Sequence, residues 1–151
     1  MVPDSASGTT ATDRVLKRGL AALVAATVVN VAIVAVAAGP LALASDFDPL
    51  NVPPVALFTV LGVIGATVTY LALDRVVDDT DRIFTLVAAA VLVLSFLPDV
   101  ALLRGDPNAT LPAVIALMLM HVVAAVACVA ALTGRVAVLE GRIGEGREQE
   151  G

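Results

Sequence analysis

Four long stretches of the chain are apolar and nearly free of charge, and short polar segments separate them. Residues 19–45, 49–73 and 107–134 contain no Asp, Glu, Lys or Arg. Each of these stretches exceeds the roughly 20 helical residues that cross a bilayer core of about 30 Å. A membrane barrel would instead show segments of about 10 residues with alternating polarity. The pattern therefore predicts membrane-spanning helices.

The remaining apolar stretch, which is the third along the chain, contains one acidic residue. Residues 83–98 form an uncharged run of 16, Asp99 follows, and four apolar residues then extend the stretch to Leu103. Ten Leu, Ile, Val or Phe side chains between positions 83 and 97 favour insertion by about 3 to 6 kcal/mol. An Asp at the membrane centre costs about 2.5 to 3.5 kcal/mol. We therefore expect this stretch to cross the membrane with Asp99 inside it.

The fold predicted from these stretches is all-α, an integral-membrane antiparallel four-helix bundle. A transmembrane domain of residues 19–133 is flanked by a flexible N-terminal tail of residues 1–18 and a C-terminal tail of residues 134–151. The expected spans cover residues 19–38, 54–73, 83–103 and 111–132.

The distribution of Lys and Arg predicts the orientation of the spans. Eight of the nine positive residues lie before the first span, between the second and third, or after the fourth, and only Arg104 lies elsewhere. Because positive residues favour the cytoplasmic side, both termini are expected in the cytoplasm of a multi-pass cell-membrane protein. The N-x-T triplet at Asn108 then falls in an outer loop and is a candidate glycosylation site.

A cleaved signal peptide is the alternative interpretation of the first span. Ala42, Leu43 and Ala44 form an A-x-A pattern before Ser45. The apolar run before it is longer than the 7–15 residues typical of a signal peptide. We therefore prefer a retained span; cleavage would leave three spans in the same orientation.

Composition supports a membrane protein and excludes several classes of site. The chain is 59% apolar and 15% charged, whereas soluble domains are about 45–50% apolar and about 25% charged. A net charge of −5 argues against a basic nucleic-acid surface. One Cys and one His exclude an intrachain disulfide and a multi-His or Cys-based metal site within one chain. We expect neither a metal nor a cofactor.

Small residues recur at three- or four-residue spacing on three predicted spans. Such faces allow transmembrane helices to approach closely, so packing within the bundle is the first interpretation. The second interpretation is contact with a second copy of the chain or with another membrane protein. In either case the lipid bilayer is the expected surrounding of the spans. The residues are Ala22, Ala26 and Asn30, then Gly62, Ala66 and Thr69, then Ala124 and Cys128.

Polar side chains inside the spans are the candidates for function, because such residues are costly in a bilayer. They are Asn30, Ser95, Asp99 and His121. Ser95 and Asp99 are four residues apart and share a helix face. Asp99 and His121 form a natural pair for proton relay. Counting along the spans separates them by roughly 9 Å in depth, so contact requires a bend at Pro98, a water, or Ser95 as a bridge.

A structural role for the same residues is the competing interpretation. His121 and Asn30 would then be interhelical hydrogen-bond partners, and Asp99 would lie at a helix end near Arg104. No catalytic residue is assigned, since Ser95 lacks the G-x-S-x-G setting of a serine hydrolase.

Two short motifs resemble those of a family of small prokaryotic membrane proteins. The motifs are S-x-L-P-D, ending at Asp99, and M-H-V-V-A-A, which contains His121. The family is a domain of unknown function with about four spans, from actinobacteria and haloarchaea, and Asn30 fits its pattern. The resemblance covers about residues 18–132. It implies the four-span topology and highlights Asp99 and His121, but it brings no activity.

Three functional hypotheses follow from these features. The first is a non-enzymatic accessory or assembly component whose polar residues hold the helices together. The second is a proton-linked small-molecule transporter that uses Asp99 and His121. The third is a quinone- or lipid-linked membrane enzyme.

Overall fold

The structure is a computed structural model that describes residues 5–43 and 47–135. Within these residues it contains four long α-helices, one short 3-10 helix at Asp48–Leu50, and no strand. The predicted all-α fold is confirmed. The long helices are α1 (Ser5–Ala38), α2 (Val52–Leu73), α3 (Thr80–Gly105) and α4 (Leu111–Leu132).

All four helices are long and apolar enough to cross a membrane, as the apolar stretches predict. In α1 the apolar candidate span covers Ala11–Ala38. The helix itself begins at Ser5, within the segment expected to be a flexible tail. The Ala, Leu, Lys and Arg residues of this segment are good helix formers, so the helix extends beyond the apolar stretch. Residues 1–4 and 136–151 of the predicted tails lie outside the described residues.

Local sequence signals account for where the helices begin and end. Asp79 caps α3 by accepting a hydrogen bond from the backbone N–H of Arg82 at 3.3 Å. Thr110 caps α4 in the same way, with Ala113 as the donor at 3.4 Å. Such side chains satisfy N–H groups that lack a partner in the first helical turn. Gly134 follows α4 with a φ of +73°, the left-handed conformation in which glycine commonly ends helices.

The buried apolar side chains form two clusters at opposite ends of the helices. One cluster combines the end of α1 with the beginnings of α2 and α4, and includes Val34, Val55 and Met120. The other combines earlier residues of α1 with the end of α2, the beginning of α3 and the end of α4, and includes Ala26, Val63 and Cys128. A layer of polar side chains lies between the two clusters.

The helix α3 is the least buried of the four. Its two buried residues are Phe84, near its beginning, and Asp99, near its end. Many of its other apolar side chains, such as Leu86, Val93 and Leu97, are exposed on the outside of the molecule, where a bilayer would contact them. A carboxyl group is therefore one of the two points at which α3 is deeply packed against its neighbours.

The predicted packing face on α1 is confirmed. Ala22, Ala26 and Asn30 are all at most 2% exposed. Gly19 extends this close approach toward α2, since a Cβ atom added there would lie 2.6 Å from Thr67 Oγ1. The absence of a side chain at Gly19 thus allows α1 and α2 to come together.

Candidate functional site

A buried hydrogen bond joins α1 to α2 in the polar layer. Asn30 follows Ala26 by one turn on α1, and Thr59 precedes Val63 by one turn on α2, so both side chains fall between the apolar clusters. The Nδ2 atom of Asn30 donates to Thr59 Oγ1 at 3.0 Å. The Oδ1 atom of Asn30 is buried and has no hydrogen-bond partner. Only part of the amide group is therefore used to hold the two helices together.

A carboxyl group and an imidazole meet between α3 and α4. The Nδ1 atom of His121 lies 2.9 Å from the backbone oxygen of Leu117 and 3.2 Å from Asp99 Oδ2. Because a carbonyl oxygen can only accept, Nδ1 carries a hydrogen that it donates to Leu117. That hydrogen is not directed at Asp99, whose Oδ2 is buried without a hydrogen-bond partner.

The contact between Asp99 and His121 forms without a bridging side chain, although their depths along the spans differ. The helix α3 ends at Gly105, two residues beyond the predicted span. This extension reduces the offset between Asp99 and His121 to about 6 Å. Side chains also lean toward the N-terminus of their own helix. Asp99 therefore leans away from the loop that joins α3 to α4, and His121 leans toward it.

A cavity of about 380 Å³ brings these groups together. Its walls are mostly apolar, and four polar side chains with functional groups open onto it. Ligand pockets of proteins commonly have this size range and this mixture of apolar walls with a few polar groups. The lining residues are Asn30, Pro49, Pro54, Val55, Phe58, Thr59, Gly62, Pro98, Asp99, Leu102, Leu117, Met120, His121 and Ala124.

Three of the four residues singled out by sequence line this cavity, namely Asn30, Asp99 and His121. Ser95 does not. Its hydroxyl donates to the backbone oxygen of Leu92 at 2.7 Å, within its own helix. Ser95 therefore does not bridge Asp99 and His121, which was one of the routes to contact that the sequence left open.

Sequence reasoning missed Thr59 and misinterpreted Gly62. Thr59 is a polar residue inside an apolar stretch, and the criterion applied to Asn30 would have found it. Gly62 was expected first to pack within the bundle, and this expectation is wrong, because no heavy atom of the chain lies within 4 Å of a Cβ atom added there. Gly62 instead faces the open space of the cavity.

Few charged groups lie close to the Asp99 carboxyl among the described residues. Among the described residues, His121 provides the basic group within ion-pair distance of the Asp99 carboxyl, and Arg104 does not approach it. In residues 5–43 and 47–135, no three His, Cys, Asp or Glu side chains converge as a metal site. Two buried oxygen atoms at the cavity, Asn30 Oδ1 and Asp99 Oδ2, have no hydrogen-bond partner, and both can accept from N–H or O–H donors.

Comparisons with known proteins place the chain in a family. No curated protein and no solved structure matched the chain. A protein-family model matches residues 10–138, a range that contains every residue lining the cavity. This match covers most of the 151 residues. The chain belongs to DUF6069, a family of unknown function.

Proposed function

We propose that this protein is a non-enzymatic membrane protein that binds a small molecule between its helices. The observation that carries the proposal is the pair of buried oxygen atoms at one cavity, Asn30 Oδ1 and Asp99 Oδ2, that lack a hydrogen-bond partner. Leaving such a group unsatisfied costs about 1–3 kcal/mol. An ionisable side chain inside a membrane is by default a candidate for a functional site. A ligand with hydrogen-bond donors would satisfy both oxygens.

A purely structural role explains these residues less well. Interhelical hydrogen bonds in a membrane protein contribute about 0.6 kcal/mol on average, and the Asn30–Thr59 bond is of this kind. Asp99 makes no such bond, yet it is buried and lies beside an open volume. Asp99 Oδ2 therefore contributes no hydrogen bond between helices, but it can accept one from a ligand in the cavity. An accessory role is retained in this proposal, with ligand binding as its basis.

The proposal includes the topology predicted from the sequence, an antiparallel bundle with both termini in the cytoplasm. Contacts between distant residues support the antiparallel arrangement. Arg18, early in α1, donates to the backbone oxygen of Leu132, at the end of α4. Gly19 approaches Thr67, late in α2. In this orientation the cavity lies in the outer half of the cell membrane, between the midplane and the external surface.

A pair of glycines on α2 provides a matched test of the cavity. Added Cβ atoms at Gly62 and Gly65 both meet open space, but only Gly62 lines the cavity. Gly62→Leu should therefore fill part of the cavity, and Gly65→Leu should extend into the surrounding lipid. The Cβ atom that each substitution adds meets no other heavy atom within 4 Å, and thermal unfolding should show that both variants remain folded.

The measurement is the content of small molecules that each protein carries from its native membrane. Wild type, Gly62→Leu and Gly65→Leu are isolated in native nanodiscs formed by a styrene–maleic acid copolymer, and organic extracts are quantified by mass spectrometry. We expect at least one compound to be tenfold depleted in Gly62→Leu relative to the other two proteins. Identical extracts from all three folded proteins would refute the proposed function.

A further inference from the structure

The unsatisfied groups at the cavity define the chemistry of what it binds. Asn30 Nδ2 already donates to Thr59, and His121 Nδ1 already donates to Leu117. The oxygens Asn30 Oδ1 and Asp99 Oδ2 remain without a donor. A ligand that satisfies these two oxygens therefore supplies hydrogens.

The cavity lining also contains an acidic side chain without a Lys or Arg to balance it. Asp99 is its acidic residue, and no Lys or Arg is among its lining residues. An ionised carboxylate in a low-dielectric site requires a nearby positive charge or donors directed at it. The basic neighbour of Asp99 among the described residues, His121, directs its Nδ1 hydrogen at Leu117 instead. A cationic group in the cavity would provide both the charge and the missing donor.

We infer that the ligand is an organic monocation with a primary or secondary ammonium group and an apolar body; this inference rests on the proposed function. The ammonium supplies N–H donors to Asp99 Oδ2 and Asn30 Oδ1. The apolar body occupies the part of the cavity lined by Pro49, Pro54 and Leu102. Phe58 also lines the cavity, and aromatic rings attract cations.

Other cations match the site less well. A quaternary ammonium lacks N–H donors, so it would leave both oxygens without hydrogen bonds. A divalent metal ion requires several ligands, and no three His, Cys, Asp or Glu side chains converge within the described residues. The combination of one carboxyl group, one amide oxygen and a large apolar wall therefore fits a protonated amine better than either of these cations.

The test compares two ligands of the same shape and different charge. The probes are 2-phenylethylammonium and 2-phenylethanol, titrated calorimetrically into wild-type protein in lipid nanodiscs, with empty nanodiscs subtracted. Wild type and Gly65→Leu should bind the ammonium at least tenfold more tightly than the alcohol. Asp99→Asn should bind the two probes within twofold of each other, Asp99→Glu should restore the preference, and Gly62→Leu should bind neither.

The outcomes separate this inference from the proposed function. Equal binding of the two probes to wild type, lost in Gly62→Leu, would refute the ammonium assignment and leave the cavity as a binding site. A preference that persists in Asp99→Asn would also refute the assignment. Failure of wild type to bind the ammonium overturns the inference as well, and the extract comparison of Gly62→Leu with Gly65→Leu then decides the proposed function independently.

Discussion

The Nδ1 atom of His121 lies 3.2 Å from Asp99 Oδ2, but its hydrogen is donated to Leu117. The two side chains are thus adjacent without being hydrogen-bonded to each other. This arrangement leaves a buried carboxyl oxygen without a donor at the edge of an apolar cavity. Asp99 is thus buried where α3 packs against its neighbours, yet its Oδ2 accepts no hydrogen bond from them.

Replacing Asp99 by Asn should leave the fold intact. The amide is nearly isosteric and carries no charge, and no hydrogen bond to Asp99 Oδ2 is lost. Because a charged Asp inside a membrane costs up to about 2.5 to 3.5 kcal/mol, the value at the centre, we expect the unfolding midpoint of Asp99→Asn to equal or exceed that of wild type. Thermal unfolding in mild detergent measures this. A clear fall in the midpoint would indicate that the carboxyl stabilises the bundle.

The Asn30–Thr59 bond should contribute measurably to stability. Asn30→Ala removes the donor, and Thr59→Val removes the acceptor while preserving shape. Since interhelical hydrogen bonds in membranes contribute about 0.6 kcal/mol and at most about 1.7 kcal/mol, we expect a coupling energy in this range. A double-mutant cycle of unfolding free energies provides the measurement. Strictly additive effects would show that the 3.0 Å contact contributes nothing.

Gly19 should tolerate no side chain, in contrast to Gly65. Within a helix, Ala is favoured over Gly by about 0.5–1 kcal/mol, so Gly65→Ala, which meets open space, should be stabilising. Gly19→Ala should be destabilising by about 1–3 kcal/mol through overpacking, because its Cβ would lie 2.6 Å from Thr67 Oγ1.

A compensating substitution checks the cause of this effect. Thr67→Ala removes the two side-chain atoms of Thr67 that would lie closest to the new Cβ. Combining Gly19→Ala with Thr67→Ala should therefore recover most of the lost stability in the same unfolding assay. A double variant as unstable as the sum of the single variants would contradict the close approach of α1 to α2.

Tyr70 should stabilise the junction of α2 and α3 through its hydroxyl. Its O–H donates to Asp81 Oδ1 at 2.6 Å, and its ring packs edge-on against Phe84 with 5.2 Å between centroids. Tyr70→Phe retains the ring contact and removes a hydrogen bond to an acidic side chain, so we expect a loss of about 1.5–3 kcal/mol in unfolding free energy. In an Asp81→Asn background, the same substitution should cost less than half as much.

The proposed topology predicts which loops a membrane-impermeant maleimide labels on intact cells. Cys128 is the chain's one cysteine and is buried, so a Cys128→Ala background is suitable. In that background, Asn108→Cys should react on intact cells, whereas Asp78→Cys should react only after permeabilisation. Both positions are exposed, so their reactivity reports the side of the membrane. The reverse labelling pattern would invert the proposed orientation.

The sequence by itself determined the number, type and approximate limits of the helices. Crossing a bilayer requires a minimum length of apolar residues, and this is a property of each segment alone. Residues 111–132 were therefore predicted with the limits that α4 has in the structure. Asn30, Asp99 and His121 could also be recognised in the sequence, because a polar residue in an apolar stretch is conspicuous wherever its side chain points.

Tertiary structure decided which of these residues form a site. Ser95 and Thr59 are both hydroxyl residues in apolar stretches, yet Thr59 lines the cavity and Ser95 does not. Gly19 lies against Thr67, and Gly62 faces open space. These differences depend on how each helix is rotated and how closely it approaches its neighbours. Both are set by the packing of side chains from distant segments, which no single stretch of sequence contains.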